Sequence, residues 1–424
     1  MMQKPLPFDL EKCARPNILA LRPYRCARDD YEDNGRNILL DANENAYGPG
    51  LMAREGESLF MNGSATGNLQ EELASRLPLQ RLNRYPDPHQ LDLKRLLCGL
   101  RNTHTHTNRT LSPSNVFVGV GSDEAIDALL RCFCRPGIDK ILTCPPTYGM
   151  YAVSAQVNDV EVMEVLLDSA KGFALRPDAI NDVLSRDPTI KLVYTCSPGN
   201  PTGNLVEKSA LRKVLEHPTW NGIVVLDEAY IDFASDGSSL AEWVTEWPNL
   251  VVMQTLSKAF GLAGIRLGAV FTSPPIARLL NNMKAPYNIS SPTSALAISA
   301  LSPENLEVMR THRAKILTQR NRMVVELPQI PGIGRFLGGQ DANFLLVEIL
   351  DKPGGRPCNE AALALYEGLA EKRGVIVRFR GKEVGCEGCL RITVGTENEV
   401  TRLLEEMKQT LGEIYSSQKG AVIS

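Results

Sequence analysis

Short apolar runs rich in β-branched residues recur through the middle of the chain, each followed by a polar turn or a helix-compatible stretch. They are Val116–Val120, Lys140–Cys144, Val160–Leu167, Ile190–Thr195, Gly222–Leu226 and Leu250–Thr255, with helical segments such as Lys208–Glu216 and Leu240–Glu246 between them. Strands that are apolar throughout, rather than alternating, must be buried on both faces. Regular strand–helix succession therefore argues for a mostly parallel sheet covered by helices, an α/β fold. Beyond residue 295 the texture changes to a long amphipathic helix at Glu304–Leu327. Strands follow at Asn343–Glu348, Val375–Arg378 and Cys389–Val394, with helices at Glu360–Lys372 and Asn398–Tyr415. The pattern predicts an N-terminal arm over 1–40, a large α/β domain over 41–295 and a smaller α+β domain over 296–424. Residues 51–80 lack a clean period and read as a surface insertion, with a short helix near Leu69–Leu77.

Composition narrows the class. A net charge of −3 gives no reason to expect nucleic acid or an anionic membrane as partner. No stretch approaches the roughly 18–20 apolar residues of a membrane span, and the N-terminus has no apolar run long enough for a signal peptide. The ten cysteines are scattered rather than spaced as a disulfide scaffold, which fits a reducing, cytoplasmic setting. Cys386-x-x-Cys389 has metal-knuckle spacing, but no second pair completes four ligands, so no metal is expected.

The strand ends carry the chemistry. Lys258 follows the strand Leu250–Thr255, with Thr255 and Ser257 beside it and Arg266 eight residues on, among Gly261, Gly264 and Gly268. Read alone, it is either a loop lysine among ordinary glycine turns or one suited to a Schiff base beside a bound phosphate, since desolvation and cationic neighbours favour its neutral, nucleophilic form. Gly121–Ser122–Asp123–Glu124 lies between a strand and a helix, where free backbone N–H groups make either a phosphate seat or an ordinary helix cap. Ser197–Gly203 packs two prolines and two glycines around Asn200, a rigid turn at a carboxyl end of the sheet. Asp227 ends the strand Ile223–Leu226, with Tyr230 three residues on; it is either an exposed strand-end carboxylate or a buried one that needs a partner, such as a protonated pyridine nitrogen. Tyr148 could stack on a flat ring or sit in the core, and Tyr85 in the Arg84–Gln90 turn is equally open. Arg378 and Arg391 on late strands offer guanidinium forks either to a substrate's carboxylate or phosphate or to local glutamates in salt bridges, with Arg380 able to exchange roles with Arg378.

In this order, these elements resemble the fold-type I aminotransferases that use pyridoxal 5'-phosphate, and within them the histidinol-phosphate aminotransferases, particularly the fungal form. The strings carrying the resemblance include PYRCARDD, LDANENAYGP, RYPDPHQ, GVGSDEAID, PPTYGMY, SPGNPTG, LDEAYIDF, TLSKAFGLAGIRLG, MKAPYNIS, DANFLL and GCLRITVGT, spread from residue 16 to about 396. Residues 51–80 depart from it. The resemblance implies Lys258 as the lysine that holds the cofactor and shuttles the proton. Asp227 would meet the ring nitrogen, Asn200 and Tyr230 the ring hydroxyl oxygen, and Tyr148 the ring face. Ser122, Asp123, Thr255, Ser257 and Arg266 would hold the cofactor phosphate, joined by Tyr85 from the neighbouring subunit of a homodimer. Tyr24, Asn343, Arg378 and Arg391 would line the substrate site. The implied reaction passes an amino group between L-histidinol phosphate and 2-oxoglutarate. The competing readings are another enzyme of the same cofactor and fold, or a phosphate-binding protein without catalysis.

Overall fold

The structure is a computed structural model that describes residues 30–31, 37–51 and 82–421. Tyr24, most of the expected arm and the expected helix near Leu69–Leu77 lie outside the described residues.

A seven-stranded sheet dominates the fold. Its strands are β2 (Val116–Val120), β3 (Lys140–Thr143), β4 (Glu161–Glu164), β5 (Ile190–Cys196), β6 (Ile223–Asp227), β7 (Leu250–Thr255) and β8 (Leu267–Thr272), in the order β2-β8-β7-β6-β5-β3-β4. Every neighbouring pair from β7 to β4 is parallel, whereas β8 runs antiparallel to both β7 and β2. β8 was not anticipated from the sequence. The expected strand at Val160–Leu167 is shorter, and Leu240–Glu246 forms a 3-10 turn (Ala241–Thr245) rather than an α-helix. Strand alternation divides the sheet's side chains between two apolar layers. Val193, Val224, Leu226 and Val252 join one core, while Leu192, Val225, Val251 and Met253 join the other. Helix α2 (Gly121–Phe133) closes the second layer with Ile126 and Leu129, and α4 (Pro177–Arg186) closes the first with Ile180 and Leu184. Both faces are therefore covered, as continuous apolar strands require.

A second sheet, β12-β13-β10-β9, is wholly antiparallel: β9 (Ile333–Leu337), β10 (Phe344–Ile349), β12 (Arg378–Phe379) and β13 (Cys389–Thr393). Helix α8 (Pro303–Glu326) buries Met309, Ile316 and Met323 in the main core, which also takes Leu345 and Val347 of β10. The expected strand Val375–Arg378 divides. β11 (Val375–Ile376) pairs in parallel with β1 (Ile38–Leu39), and only Arg378–Phe379 joins the antiparallel sheet. The segment after β1 is thereby tied to the late strands: Thr393 N–H donates to the Leu40 carbonyl at 3.0 Å. No helix among the described residues is long and apolar enough to cross a membrane.

Chain order within the large sheet reverses beside β3, with β4 on one side and β5, β6 and β7 successively on the other. Crevices in open α/β sheets form outside the carboxyl ends of strands at such a reversal. The segments following β5, β6 and β7 converge there.

Candidate active site

A cleft of about 190 Å³ opens at this point, lined from strand ends that are far apart in sequence. Ser122, Asp123 and Tyr148 line it from the segments after β2 and β3, Asn200, Asp227 and Tyr230 from the ends of β5 and β6 and the turns beyond, and Thr255, Ser257, Lys258 and Arg266 from the end of β7 and the segment leading to β8. Ala42, Glu44 and Cys196 complete the lining; none of them was a sequence candidate, although Ala42 and Glu44 lie within LDANENAYGP.

Lys258 is half-buried, and its Nζ donates to the Ala42 carbonyl at 2.9 Å. Desolvation, reinforced by the charges of Arg391 and Arg266 and opposed by Glu44, brings its pKa down to about 8. The neutral amine is thus accessible near physiological pH. Asp227 is only 2% exposed at the end of β6. Its Oδ2 accepts from the Tyr151 hydroxyl at 2.6 Å, and its Oδ1 from the Ala229 N–H at 3.1 Å. Burial lifts its pKa to about 6, with the Tyr151 hydrogen bond working against that rise. A carboxylate held under such a penalty is suited to a cationic partner.

Asn200 Oδ1 accepts from Arg391 Nη1 at 2.7 Å, so its amide nitrogen is the end available to an acceptor in the cleft. Tyr230 accepts from Asn43 Nδ2 at 3.0 Å, and burial lifts its phenol to about 12, which keeps its own proton available for donation.

Beside Ser122 and Asp123, β2 passes into α2 through Gly121, whose φ of 72° a side chain would strain. A Cβ on Gly268 would come within 2.5 Å of the Gly121 backbone, so β8 can approach the start of α2 this closely only with glycine there. The first N–H groups of α2 have no partners within the helix. Ser122 Oγ is buried and has no hydrogen-bond partner. Asp123 Oδ2 lies 3.4 Å from Arg266 Nη2, and Asp123 Oδ1 accepts from Tyr148 at 3.2 Å. A carboxylate repels phosphate, so Asp123 suits that anion through its backbone N–H while its side chain orients Arg266 and Tyr148. The Thr255 hydroxyl lies 2.9 Å from the Leu267 carbonyl and 2.8 Å from Ser257 Oγ. An anion seat, a buried carboxylate and a lysine of lowered pKa lining one cleft fit pyridoxal 5'-phosphate.

The remaining described sequence candidates are not among the residues lining this cleft, although Arg391 meets Asn200 of the lining. Arg391, 4% exposed on β13, also donates to the Asp41 carbonyl. Arg378 is directly opposite Arg391 in the β12–β13 register, so the two share one face of the sheet. Arg380 is bound to Glu383 at 2.7 Å. Asn343 is fully buried; its Nδ2 donates to the Asn43 carbonyl at 3.1 Å, and its Oδ1 has no hydrogen-bond partner. Tyr85 is outside the cleft of its own chain, 80% exposed and stacked on Tyr287 at 4.5 Å. Tyr151 was missed, although it stands three residues after Tyr148 in the same PPTYGMY string. Cys386 and Cys389 are buried free thiols, and no metal-ligating cluster is found among the described residues.

Similarity to known proteins agrees with this geometry. The histidinol-phosphate aminotransferase of Schizosaccharomyces pombe is 52% identical over 412 residues, covering 97% of this chain and all of that protein. That of Saccharomyces cerevisiae is 46% identical, covering 95% of this chain and 98% of its own length. Among solved structures, histidinol-phosphate aminotransferase from Sinorhizobium meliloti in complex with pyridoxal-5'-phosphate superposes with a TM-score of 0.76 at 22% identity, over 94% of this chain and 97% of that one. The fold is therefore that of the fold-type I enzymes. Residues 54–407 match the family described as aminotransferase class I and II, and the chain belongs to that family.

Proposed function

We propose that this protein is a pyridoxal-phosphate-dependent aminotransferase acting between L-histidinol phosphate and 2-oxoglutarate, yielding imidazole-acetol phosphate and L-glutamate in histidine biosynthesis. The observation that carries the reading is the convergence, in one cleft, of the Lys258 amine, the buried Asp227 carboxylate and the anion seat at Ser122 and Arg266. The identity to the fungal relatives over nearly the whole chain supports the substrate.

The cofactor, when bound, supplies an electron sink for charge left at the substrate's Cα. The protein's residues do the rest. Lys258 would hold the cofactor, and once displaced its neutral amine is the base that takes the Cα proton and keeps it for return. Asp227 would stabilise a protonated ring nitrogen, Asn200 and Tyr230 would donate to the ring oxygen, and Tyr148 would cover the ring face. Ser122, the Asp123 N–H, Thr255, Ser257 and Arg266 would hold the phosphate group. Arg378 and Arg391, with Tyr24 and Asn343, would take the substrate's far end. Guanidinium matches phosphate in one half-reaction and carboxylate in the other, which lets one site serve both substrates.

A homodimer in the cytoplasm belongs to this reading. Tyr85 of the partner subunit would complete the phosphate site, which accounts for a tyrosine 80% exposed in a single chain. The test is a visible spectrum of the purified protein before and after histidinol phosphate, followed by a glutamate assay with 2-oxoglutarate. Bleaching of a yellow protein and glutamate formation are expected; a coloured protein unchanged by histidinol phosphate refutes the substrate.

A further inference from the structure

We propose that Tyr151 is a positioning residue that acts through Asp227, fixing which carboxylate oxygen faces the cofactor's ring nitrogen. This rests on the reading of the cleft as a pyridoxal phosphate site.

Tyr151 lies on α3 (Met150–Val157) and is fully buried. Its ring is held from two sides, stacked on Tyr194 at 4.7 Å and 22° and edge-on to Tyr148 at 5.6 Å and 88°. The hydroxyl has little freedom left and ends 2.6 Å from Asp227 Oδ2. That is the short range typical of an O–H donor on a charged carboxylate. The ordinary role of a core tyrosine is to satisfy its own hydroxyl on a backbone carbonyl. Here the acceptor is instead the cleft's buried carboxylate, and the helix carrying the donor begins two residues after Tyr148, which lines the same cleft. One segment therefore sets both the ring face and the ring-nitrogen partner. With Oδ2 tied to Tyr151 and Oδ1 to Ala229 N–H, the carboxylate cannot rotate without losing both bonds.

Other groups bear on the same carboxylate. Asp123, at the start of α2, favours its protonation, and Lys258 opposes it; Tyr194 and Cys196 of β5 and Tyr230 also bear on it, and the Cys196 thiol interacts with the Tyr151 hydroxyl as well. Burial is the largest influence and the Tyr151 hydroxyl the next, in the opposite direction. Burial also raises that phenol well above its ordinary range, which keeps its proton available for donation. Losing the hydroxyl lets Asp227 titrate higher, and a protonated carboxyl cannot neutralise a cationic ring nitrogen.

The experiment compares Tyr151→Phe with Tyr194→Phe. The latter loses a long 3.5 Å bond to the Ile126 carbonyl but no hydrogen bond to Asp227, whose hydroxyl donor is Tyr151. The dissociation constant of pyridoxal phosphate and the acidic limb of kcat are followed from pH 5.5 to 9. Tyr151→Phe is expected to move the acidic midpoint of both upward by about one unit, weakening cofactor binding about tenfold on that limb. KM for the amine should change by less than about twofold, because the substrate arginines are not involved. Tyr194→Phe should keep the wild-type midpoint. An unmoved midpoint in Tyr151→Phe, or an equal shift in Tyr194→Phe, overturns the proposal in favour of plain packing. If Tyr151→Phe does not fold, the tyrosine Raman difference between wild type and Asp227→Asn decides instead. Loss of one strong-donor tyrosine signal in Asp227→Asn supports the bond, and no difference overturns it. Wild-type protein unable to bind pyridoxal phosphate at any pH sinks the functional reading itself, a result separable from all of these.

Discussion

Replacing Arg391 by alanine tests the proposal that one guanidinium serves two different anions. In the structure this side chain donates to Asn200 Oδ1 and the Asp41 carbonyl and lies with its guanidinium carbon 5.4 Å from the Phe344 ring centroid. Truncation leaves two buried acceptors without that donor, at about 1–3 kcal/mol each. Water entering the vacated space recovers part of this, so about 2–3 kcal/mol of stability should be lost, read from urea unfolding of the apo protein. The kinetic effect is separate. A hydrogen bond to a charged group contributes about 1.5–3 kcal/mol, which converts to roughly 10- to 150-fold in kcat/KM. The same factor should appear for histidinol phosphate and for glutamate, each followed as a single half-reaction by the cofactor's absorbance. Arg391 also helps depress the Lys258 pKa, so that pKa should rise in Arg391→Ala and stay near the wild-type value in Arg391→Lys. A loss confined to one of the two substrates would refute the shared-arginine reasoning.

Three further outcomes are expected. Lys258→Ala should abolish turnover while retaining weak pyridoxal phosphate binding; in the wild-type apo protein, cofactor capture should accelerate with pH and level off above about 8, not 10.5, because the neutral amine is the reacting form. Asp227→Asn should lose activity yet stabilise the apo protein at neutral pH, by an order of magnitude of 3 kcal/mol for a shift of about two units. The folded-state pKa is raised to about 6, so the folded protein holds the proton more tightly, and the penalty sets in as pH rises between about 4 and 6. A thermal-unfolding pH series in which Asp227→Asn tracks the wild type across that window contradicts it. Finally, Arg380→Ala should leave both half-reactions within about twofold, its partner being Glu383, whereas Arg378→Ala should weaken substrate use; equal kinetic losses in the two would reverse that assignment.

Much of this was legible in the sequence for a local reason. The apolar runs at Leu250–Thr255 and Ile223–Leu226 declare buried strands whatever surrounds them, and a turn as constrained as Ser197–Gly203 marks a strand end. The residues at those ends, Lys258, Asp227 and Asn200, line one cleft because successive strands of a covered parallel sheet deliver their carboxyl ends to the same edge. Where periodicity was too short, the reading failed. Val375–Arg378 looks like one strand, yet Val375–Ile376 and Arg378–Phe379 serve different sheets.

What only the tertiary structure decided were the pairings across long stretches of chain. Arg391 meets Asn200 at a separation of 191 residues, and Asn43 meets Thr393 at 350. Among the tyrosines of PPTYGMY, Tyr151 rather than Tyr148 reaches Asp227. The sequence determined which chemical groups stand at which strand ends, because propensity and burial act over a few residues. Which of those groups touch, and hence how far Lys258 and Asp227 are driven from their ordinary protonation, is set by desolvation and charge across the assembled sheet, and no local pattern records that.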